Sequence, residues 1–268
     1  MMVALAITCA HCEPLSTQLA TCQDNQIVET TGYEYIKELS VTKNVTIVGD
    51  DATIDGSHLE LMPTIGDETH HTAVTLKGLT IKNIPRLYNT ADLVIEDCRF
   101  INTELDANNC AILARNSAFA GTINGSRIGD GGAALLTNTI GIFDHCIFAE
   151  NSAYRNGTWC GGRGGALSIF GSTITLIEPI IEHNIAAYGG GICVVESNLS
   201  IYGGKIVSNE AREVNVSPTL KLGGVGGAMD IIRSKVLLAR VLIADNIAPA
   251  LNVSEGSEIR VIDSKIMP

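Results

Sequence analysis

The segment that organises this chain is residues 164–186, GGALSIFGSTITLIEPIIEHNIA, because it recurs in altered form three times. Every copy opens with a Gly pair and closes with a large apolar residue, two free positions, Asn, one free position and Ala. The first Gly and the closing apolar residue are always 17 positions apart: 131 to 148, 164 to 181, 189 to 206 and 226 to 243. The other copies are GGAALLTNTIGIFDHCIFAENSA (131–153), GGGICVVESNLSIYGGKIVSNEA (189–211) and GGAMDIIRSKVLLARVLIADNIA (226–248).

Within each copy the apolar residues alternate with other residues in three short runs, which is the period of a β-strand. The 3.6-residue period of an amphipathic helix does not occur in them. A constant block length is expected if each residue lies over its counterpart in the next copy, at the ~4.8 Å spacing of paired strands. The spacing therefore predicts an all-β fold, a single-stranded parallel β-helix (a solenoid) with three strands in each turn of about 22–25 residues.

Two sets of residues in the repeat are predicted to form structural ladders along such a stack. The Asn side chains would hydrogen-bond from turn to turn at a corner, and the closing apolar residues would fill the interior. The Gly pair suits a tight corner that needs a positive φ or a close backbone approach. The ladders comprise Asn151, Asn184, Asn209 and Asn246, and Phe148, Ile181, Ile206 and Ile243.

The pattern weakens but continues outside the four copies, at 41–57, 73–83, 91–102, 109–119 and 256–266. We therefore expect a β-helix domain over residues 31–268, with about eight to nine turns. Residues 1–30 are interpreted as a signal-like segment or an N-terminal cap, because the apolar run MVALAITCA is short and follows no Lys or Arg. The last turn would leave unpaired backbone groups, so either the chain is a piece of a longer protein or its end stacks on a partner. Stacking would be self-association through the β-helix ends, giving a fibre or surface appendage.

The composition excludes several classes of protein. The chain of 268 residues is 46% apolar, which is too hydrophobic for a disordered protein, and only 4% aromatic. No apolar stretch approaches the roughly 18 residues that a membrane-spanning helix needs. The net charge of −11 leaves little long-range attraction for nucleic acid. We expect neither a nucleic-acid partner nor a transmembrane segment.

Six N-x-S/T sequons point to the secretory route, since several fall in turn-like segments where an N-linked glycan would be tolerated. They predict a glycoprotein that is secreted or held at the cell surface. The sequons are Asn44, Asn124, Asn156, Asn198, Asn215 and Asn252.

The cysteines do not form the paired CxxC motifs of a zinc site. Cys98 and Cys146 each precede a Phe by two residues, so they would lie in one column about two turns, or roughly 9–10 Å, apart. That distance exceeds the reach of a disulfide, and both are expected to be packed thiols. If a bridge forms, the candidates are Cys110 with Cys160, or a pair within the N-terminal trio of cysteines.

The GGAL motif at 164–167 and the FAEN motif at 148–151 resemble the repeat of the polymorphic outer-membrane proteins, a family of bacterial autotransporter adhesins. The resemblance covers about residues 131–248 and implies a right-handed parallel β-helix of the pectin-lyase-like class. The opening VTIVGDDATIDGS is similar to the first turns of many proteins of that class. Ile replaces Phe in three of the four closing motifs, and no translocator barrel is recognised. The resemblance therefore implies a cell-surface role without self-transport.

Pectin-lyase-like folds also host polysaccharide lyases and hydrolases, so the acids need testing as a catalytic pair. Hydrolysis requires two carboxyl groups facing one cleft. Asp230 is the only acid in the outward column that it shares with Leu135, Ser168 and Cys193, and Asp144 lies in another column. Because the acids do not converge, we predict no catalytic residue.

Metal ligands and cofactors are not predicted either. The acids in GDDATID, Asp50, Asp51 and Asp55, are interpreted as Asx-turn residues rather than Ca²⁺ ligands. His70 and His71 are adjacent, so their side chains would point in opposite directions from an extended chain.

The expected function is that of a non-catalytic, extracellular structural or adhesive β-helix glycoprotein whose partners are its own copies or other surface proteins. The first alternative is a polysaccharide-degrading lyase or hydrolase. The connections between repeats differ in length, and the longer ones are the variable loops 154–163 and 212–225. The second alternative is a carbohydrate-binding module whose ligand contacts would be aromatic residues near these loops, unless those residues pack against the outside of the stack. Those aromatic residues are Tyr154, Trp159 and Tyr188.

Overall fold

The computed structural model describes residues 13–67, 69, 71–123, 130–154, 162–217 and 219–267. The chain is all-β, with long parallel sheets. Its described helices are α1 (Leu15–Thr21) and a short 3-10 helix (Gly56–His58). Leu15 and Leu19 of α1 are buried and join the hydrophobic core at its N-terminal end. The helix therefore covers apolar side chains of the first strands.

The strands fall into three groups along the chain. Upstream of the repeats lie β1 (Gln26–Tyr35), β2 (Ser40–Val41), β3 (Val45–Asp55), β4 (Thr64–Ile65), β5 (Ala73–Lys82), β6 (Leu87–Asn89), β7 (Asp92–Glu96), β8 (Arg99–Ile101), β9 (Leu105–Asn108), β10 (Ala111–Arg115) and β11 (Ala118–Ala120). The repeats and their connections form β12 (Ala134–Thr137), β13 (Ile140–Asp144), β14 (Ile147–Ala149), β15 (Leu167–Phe170), β16 (Thr173–Ile177), β17 (Ile180–Glu182), β18 (Ile185–Ala186), β19 (Ile192–Val195), β20 (Asn198–Tyr202), β21 (Lys205–Val207), β22 (Glu210–Ala211), β23 (Glu213–Ser217), β24 (Leu220–Gly223), β25 (Met229–Ile232), β26 (Lys235–Ala239) and β27 (Leu242–Ala244). The last are β28 (Leu251–Val253), β29 (Glu258–Ile262) and β30 (Lys265–Ile266).

Two parallel sheets hold most of these strands: the long sheet with 17 described strands and the second sheet with 9. Each repeat contributes one strand to the second sheet and then two to the long sheet, as β15, β16 and β17 do. Equivalent strands of successive repeats pair in register, so that Leu167 lies opposite Ile192 and Ile181 opposite Ile206. Parallel pairing begins at Gln26, opposite Val45. The prediction of all-β, repeat-like parallel structure is confirmed.

The Gly pair at the start of each repeat meets two separate requirements. The first Gly has a positive φ, 75° at Gly131, which a residue with a side chain rarely adopts. The second allows close backbone approach, because a Cβ on Gly132 would lie 1.8 Å from the carbonyl oxygen of Gly165. A side chain at the second Gly would therefore displace the backbone of the next repeat, whereas at the first Gly a Cβ would lie 2.7 Å from the carbonyl oxygen of Ala134 in the same repeat.

The core consists of one apolar column after another, filled mainly by small and β-branched side chains. Stacked rings continue the column of the closing apolar residue upstream, with centroids of Phe148 and Phe119 5.1 Å apart and those of Phe119 and Phe100 4.8 Å apart. All six members have 0% exposure, and each pairs in register with the next. The column is Phe100, Phe119, Phe148, Ile181, Ile206 and Ile243.

Candidate functional site

The four repeated Asn residues form a buried ladder, here called the Asn ladder (Asn151, Asn184, Asn209 and Asn246). Asn184 illustrates its geometry: the side-chain amide donates to the carbonyl oxygens of Phe148 and Glu182 at 2.9 and 3.0 Å. Its Oδ1 accepts the backbone N–H and the side-chain amide of Asn151, both at 3.0 Å. Asn184 in turn donates both groups to Oδ1 of Asn209. The ladder satisfies backbone groups at a corner where the strands end, which is a structural role.

A second buried column runs along the opposite face of the second sheet. Its members alternate with core residues along their strands, so they point away from the core. Five of them are nevertheless 0–9% exposed. This outer column consists of Asp106, Leu135, Ser168, Cys193, Asp230 and Asn252, each in register with the next.

The outer column carries most of the polar chemistry of this face. Asn252 Nδ2 donates to Asp230 Oδ1 at 2.6 Å, and Cys193 Sγ lies 4.0 Å from the other oxygen of that carboxyl group. Asp106 is ion-paired with Arg86. Ser168 Oγ is buried and has no hydrogen-bond partner among the described residues.

The charge of Arg163 acts on two carboxyl groups, Asp230 in the outer column and Asp130. Burial raises the pKa of Asp230, and the charge of Arg163 together with the Asn252 hydrogen bond only partly offsets it. Burial raises the pKa of Asp130 in the same way, and the charge of Arg163 opposes this shift too. The guanidinium of Arg163 lies 5.8 Å from the centre of the Tyr188 ring. A carboxyl group with a raised pKa is a feature of general acids, but Asp230 is only 1% exposed.

The expectation that Asp230 is the only acid in its column is wrong. Asp106 occupies the same column four strands away, a separation of roughly 19 Å at the usual strand spacing. Burial raises the pKa of Asp106 too, with Arg86 opposing the shift. Its strand, LDAN at 105–108, precedes the recognisable Gly pairs, so only an alignment extended upstream could have found it.

The other acids and histidines considered from the sequence lie apart. Asp144 is in the long sheet, where it pairs in register with Ile177, and its carboxylate contacts His145 at 2.7 Å. His71 contacts Asp92 at 2.9 Å, while His70 lies outside the described residues. Asp55 accepts the backbone N–H of Ser57 at 2.9 Å, the geometry of an Asx turn.

The aromatic residues near the variable loops contact neighbouring parts of the chain. Tyr154 donates its hydroxyl to the carbonyl oxygen of Glu213 at 2.9 Å, and the guanidinium of Arg212 lies 5.8 Å from its ring centre. Tyr188 lies under Arg163. Trp159 lies outside the described residues.

The described cysteines are buried free thiols. Cys98 and Cys146 flank Ser117 in one column, and burial raises the pKa of each thiol to about 11. Cys110 is a buried thiol whose sulfur accepts Asn89 Nδ2 at 3.3 Å. Cys160 lies outside the described residues, as do the first two N-terminal cysteines, so the pairing of Cys110 with Cys160 stays a prediction.

Four of the sequon asparagines lie in the described residues. Asn198 and Asn215 are exposed, on β20 and β23. Asn44 Nδ2 donates to Asp24 at 3.1 Å, and Asn252 Nδ2 donates to Asp230. Asn124 and Asn156 lie outside the described residues.

The outer face of the long sheet exposes an apolar surface that the repeat pattern did not indicate. Ile140, Ile142 and Ile147 are 69%, 42% and 38% exposed on β13 and β14. Val94 and Leu113 precede Ile142 in the same column. Exposed apolar clusters of this kind mark surfaces that contact other molecules.

The chain matches no protein-family model, and no similar sequence is found among curated proteins. None of the helices in the described ranges has the length and apolarity that a bilayer crossing needs. In the same ranges, no three His, Cys, Asp or Glu side chains are grouped so that they could hold a metal ion.

Proposed function

We propose that this chain is a right-handed parallel β-helix that serves as a non-catalytic structural or adhesive element outside the cell. The in-register columns of both sheets support the β-helix, and right-handed crossovers are the rule for parallel strands. The similarity of the GGAL and FAEN motifs to the polymorphic outer-membrane protein repeat supports the same assignment. The exposed Ile140, Ile142 and Ile147 supply an apolar surface that an adhesive or structural protein needs.

One observation carries the non-catalytic part of the proposal: the carboxyl groups of the outer column are far apart and covered. Asp106 and Asp230 are separated by roughly 19 Å, whereas the two carboxyl groups of a glycosidase are about 5–9.5 Å apart. Their exposures are 3% and 1%, so a polysaccharide has no access to either. Their raised pKa values are accounted for by burial.

The proposal includes secretion and N-glycosylation. We expect Asn198 and Asn215 to be the principal acceptors among the described sequons, because a glycan on Asn252 would displace its hydrogen bond to the buried Asp230. A deglycosylation shift on gels, lost stepwise in Asn198→Gln and Asn215→Gln, tests this part. Unchanged migration after glycosidase treatment of the secreted protein would contradict it.

The proposal also includes self-association through the ends of the stack. Sedimentation across a range of concentrations should reveal species larger than one chain. A monomer at every concentration would contradict this part.

The competing function is polysaccharide cleavage. It is favoured by two carboxyl groups, Asp130 and Asp230, whose pKa values are raised by burial and lowered in part by the charge of the same Arg163. An assay against neutral and acidic polysaccharides separates the two functions, read as new reducing ends or unsaturated products. The non-catalytic proposal expects no product from the wild type. Turnover that is lost in Asp130→Asn or Asp230→Asn, but kept in Asp144→Asn, would overturn it.

A further inference from the structure

Two tyrosines on the first strand form an exposed aromatic surface. Tyr33 and Tyr35 are two residues apart on β1, and their ring centroids are 5.0 Å apart. Their exposures are 50% and 56%. His58 stacks on Tyr35 with centroids 4.7 Å apart and an interplanar angle of 23°. Three rings therefore cluster at the surface, with His58 against one face of the Tyr35 ring, outside the loops where the sequence had suggested aromatic contacts.

The rings are held in place by the chain itself. Tyr33 donates its hydroxyl to Asp55, and the ammonium group of Lys82 lies 4.6 Å from its ring centre. Asp55 is itself fixed by Ser57 and by Asn83, whose amide donates at 3.0 Å. A surface whose orientation is already set loses little conformational entropy when a ligand binds.

A cleft of about 420 Å³ adjoins this aromatic surface, with Tyr35 as part of its lining. Leu61, which is 64% exposed, adds an apolar side chain to the lining. Lys37 Nζ and Glu60 Oε1 form an ion pair of 2.9 Å there, and Glu34 and Glu38 also line the cleft. The cleft thus combines an aromatic side chain with hydrogen-bond donors and acceptors, in the size range of small-ligand sites.

These features match the chemistry of a sugar ring. A pyranose has a face of C–H groups, which packs against the electron-rich face of an aromatic ring. Its hydroxyl groups can accept hydrogen bonds from an ammonium group and donate hydrogen bonds to a carboxylate. Three carboxylates against one Lys among the lining residues disfavour an anionic sugar. Lys82 already lies against the Tyr33 ring, which leaves that face less open to a quaternary ammonium ligand.

We propose that Tyr35 and the adjoining cleft bind a neutral saccharide. This inference deepens the adhesive function proposed above and rests on it, because the saccharide would be encountered outside the cell. The face of the Tyr35 ring that His58 does not cover provides the stacking surface, and Lys37 and Glu60 contact the hydroxyl groups. Tyr33 and His58 position the Tyr35 ring.

The test is calorimetric titration of the full chain with neutral trisaccharides of glucose, galactose or mannose, beside a galacturonate trisaccharide and choline. At least one neutral trisaccharide should bind, with at least about tenfold weaker affinity in Tyr35→Ala. Tyr35→Phe keeps the ring and should stay within about threefold of the wild type. Tyr202→Ala, which removes a partly exposed tyrosine from β20, is the matched control and should change nothing.

Three results would overturn the proposal: no neutral trisaccharide binding to folded wild type, binding of galacturonate or choline alone, or equal losses in Tyr35→Ala and Tyr202→Ala. Circular dichroism of each variant confirms that it is folded. Cleavage of a bound sugar would contradict the non-catalytic function and leave this site standing. Failure of all sugars to bind removes the site and leaves the structural role intact.

Discussion

Two of the buried polar columns in the described part of the chain, the Asn ladder and the outer column, satisfy their hydrogen-bonding groups to different extents. In the Asn ladder every step is the same residue. From Asn184 onward, each Oδ1 accepts the backbone N–H and the side-chain amide of the Asn before it. In the outer column the residues differ from step to step. Ser168 Oγ has no partner among the described residues, and burial raises the pKa of Asp106 and Asp230.

The difference arises because the same backbone position recurs at each turn of the stack, with the same residue in one column and different residues in the other. A side chain with one donor and one acceptor can bond an identical side chain above and below, so repetition satisfies every member. A mixed column has no such rule, and a buried group can be left without a partner at a cost of about 1–3 kcal/mol. We infer that the Asn ladder contributes stability, whereas the outer column reduces it at particular residues.

The largest effect is expected from breaking the ladder at its centre with Asn184→Leu. The substitution removes the acceptor for Asn151 and the donor to the carbonyl oxygen of Phe148. We expect the free energy of unfolding to fall by about 3 kcal/mol in guanidinium denaturation. Asn198→Leu, at an exposed Asn of β20, is the control and should stay within about 0.5 kcal/mol of the wild type. Equal losses in the two variants would show that the ladder adds nothing.

The constant spacing within the four repeats is why the register of this region was predictable from sequence. Upstream the same corner is built from threonines: Thr122 donates its backbone N–H to Asn151 Oδ1 at 3.1 Å and its hydroxyl to the carbonyl oxygen of Thr103 at 3.2 Å. A search for Asn finds neither of them.

Burial of the outer column could not be predicted, because strand alternation points these side chains outward and only tertiary contacts decide whether they are covered. The aromatic cluster was missed for a related reason. The parallel register of β1, β3 and β5 brings Tyr35, Asp55 and Lys82 side by side from positions far apart in the chain.

Asp55 is a buried carboxyl group that accepts several hydrogen bonds, so it can be compared with Asp106 and Asp230 of the outer column. Burial alone would raise the pKa of Asp55, but hydrogen bonds from Ser57, Tyr33 and Asn83 outweigh it and hold the pKa below its ordinary range. Its contribution to stability is therefore present above the unfolded pKa of about 3.9 and lost as pH falls towards the lower folded pKa. We expect Asp55→Asn to cost about 2 kcal/mol at pH 7.

The measurement is the unfolding free energy of Asp55→Asn and the wild type from pH 7 down to about pH 2. The gap between the two should narrow at the acid end, because the wild type alone loses the contribution of the ionised Asp55. A gap that stays constant with pH would contradict the assignment.

Asp230→Asn should show the opposite sign. Because burial raises the folded pKa of Asp230, the neutral form stabilises the fold below the unfolded pKa of about 3.9. That contribution is lost as pH rises through the raised folded pKa. The variant keeps an acceptor for Asn252, so we expect it to be more stable than the wild type at pH 7 and equal to it near pH 3. Asp263→Asn, at an exposed position, should follow the wild type throughout.

The smallest expected change in stability comes from comparing alanine substitutions at two buried serines that lie four residues apart, Ser168 and Ser172. Ser168 Oγ has no partner in the described part of the chain, so Ser168→Ala removes a desolvation cost and should stabilise the fold by about 0.5–1 kcal/mol. Ser172 Oγ donates to the carbonyl oxygen of Phe170 at 2.7 Å and accepts the backbone N–H of Thr139 at 2.9 Å, so Ser172→Ala should destabilise by about 1–2 kcal/mol. Chemical denaturation of both variants measures the contrast. Destabilisation by Ser168→Ala would mean that this hydroxyl has a partner. Only the raised pKa values of Asp106 and Asp230 would then distinguish the outer column from the Asn ladder.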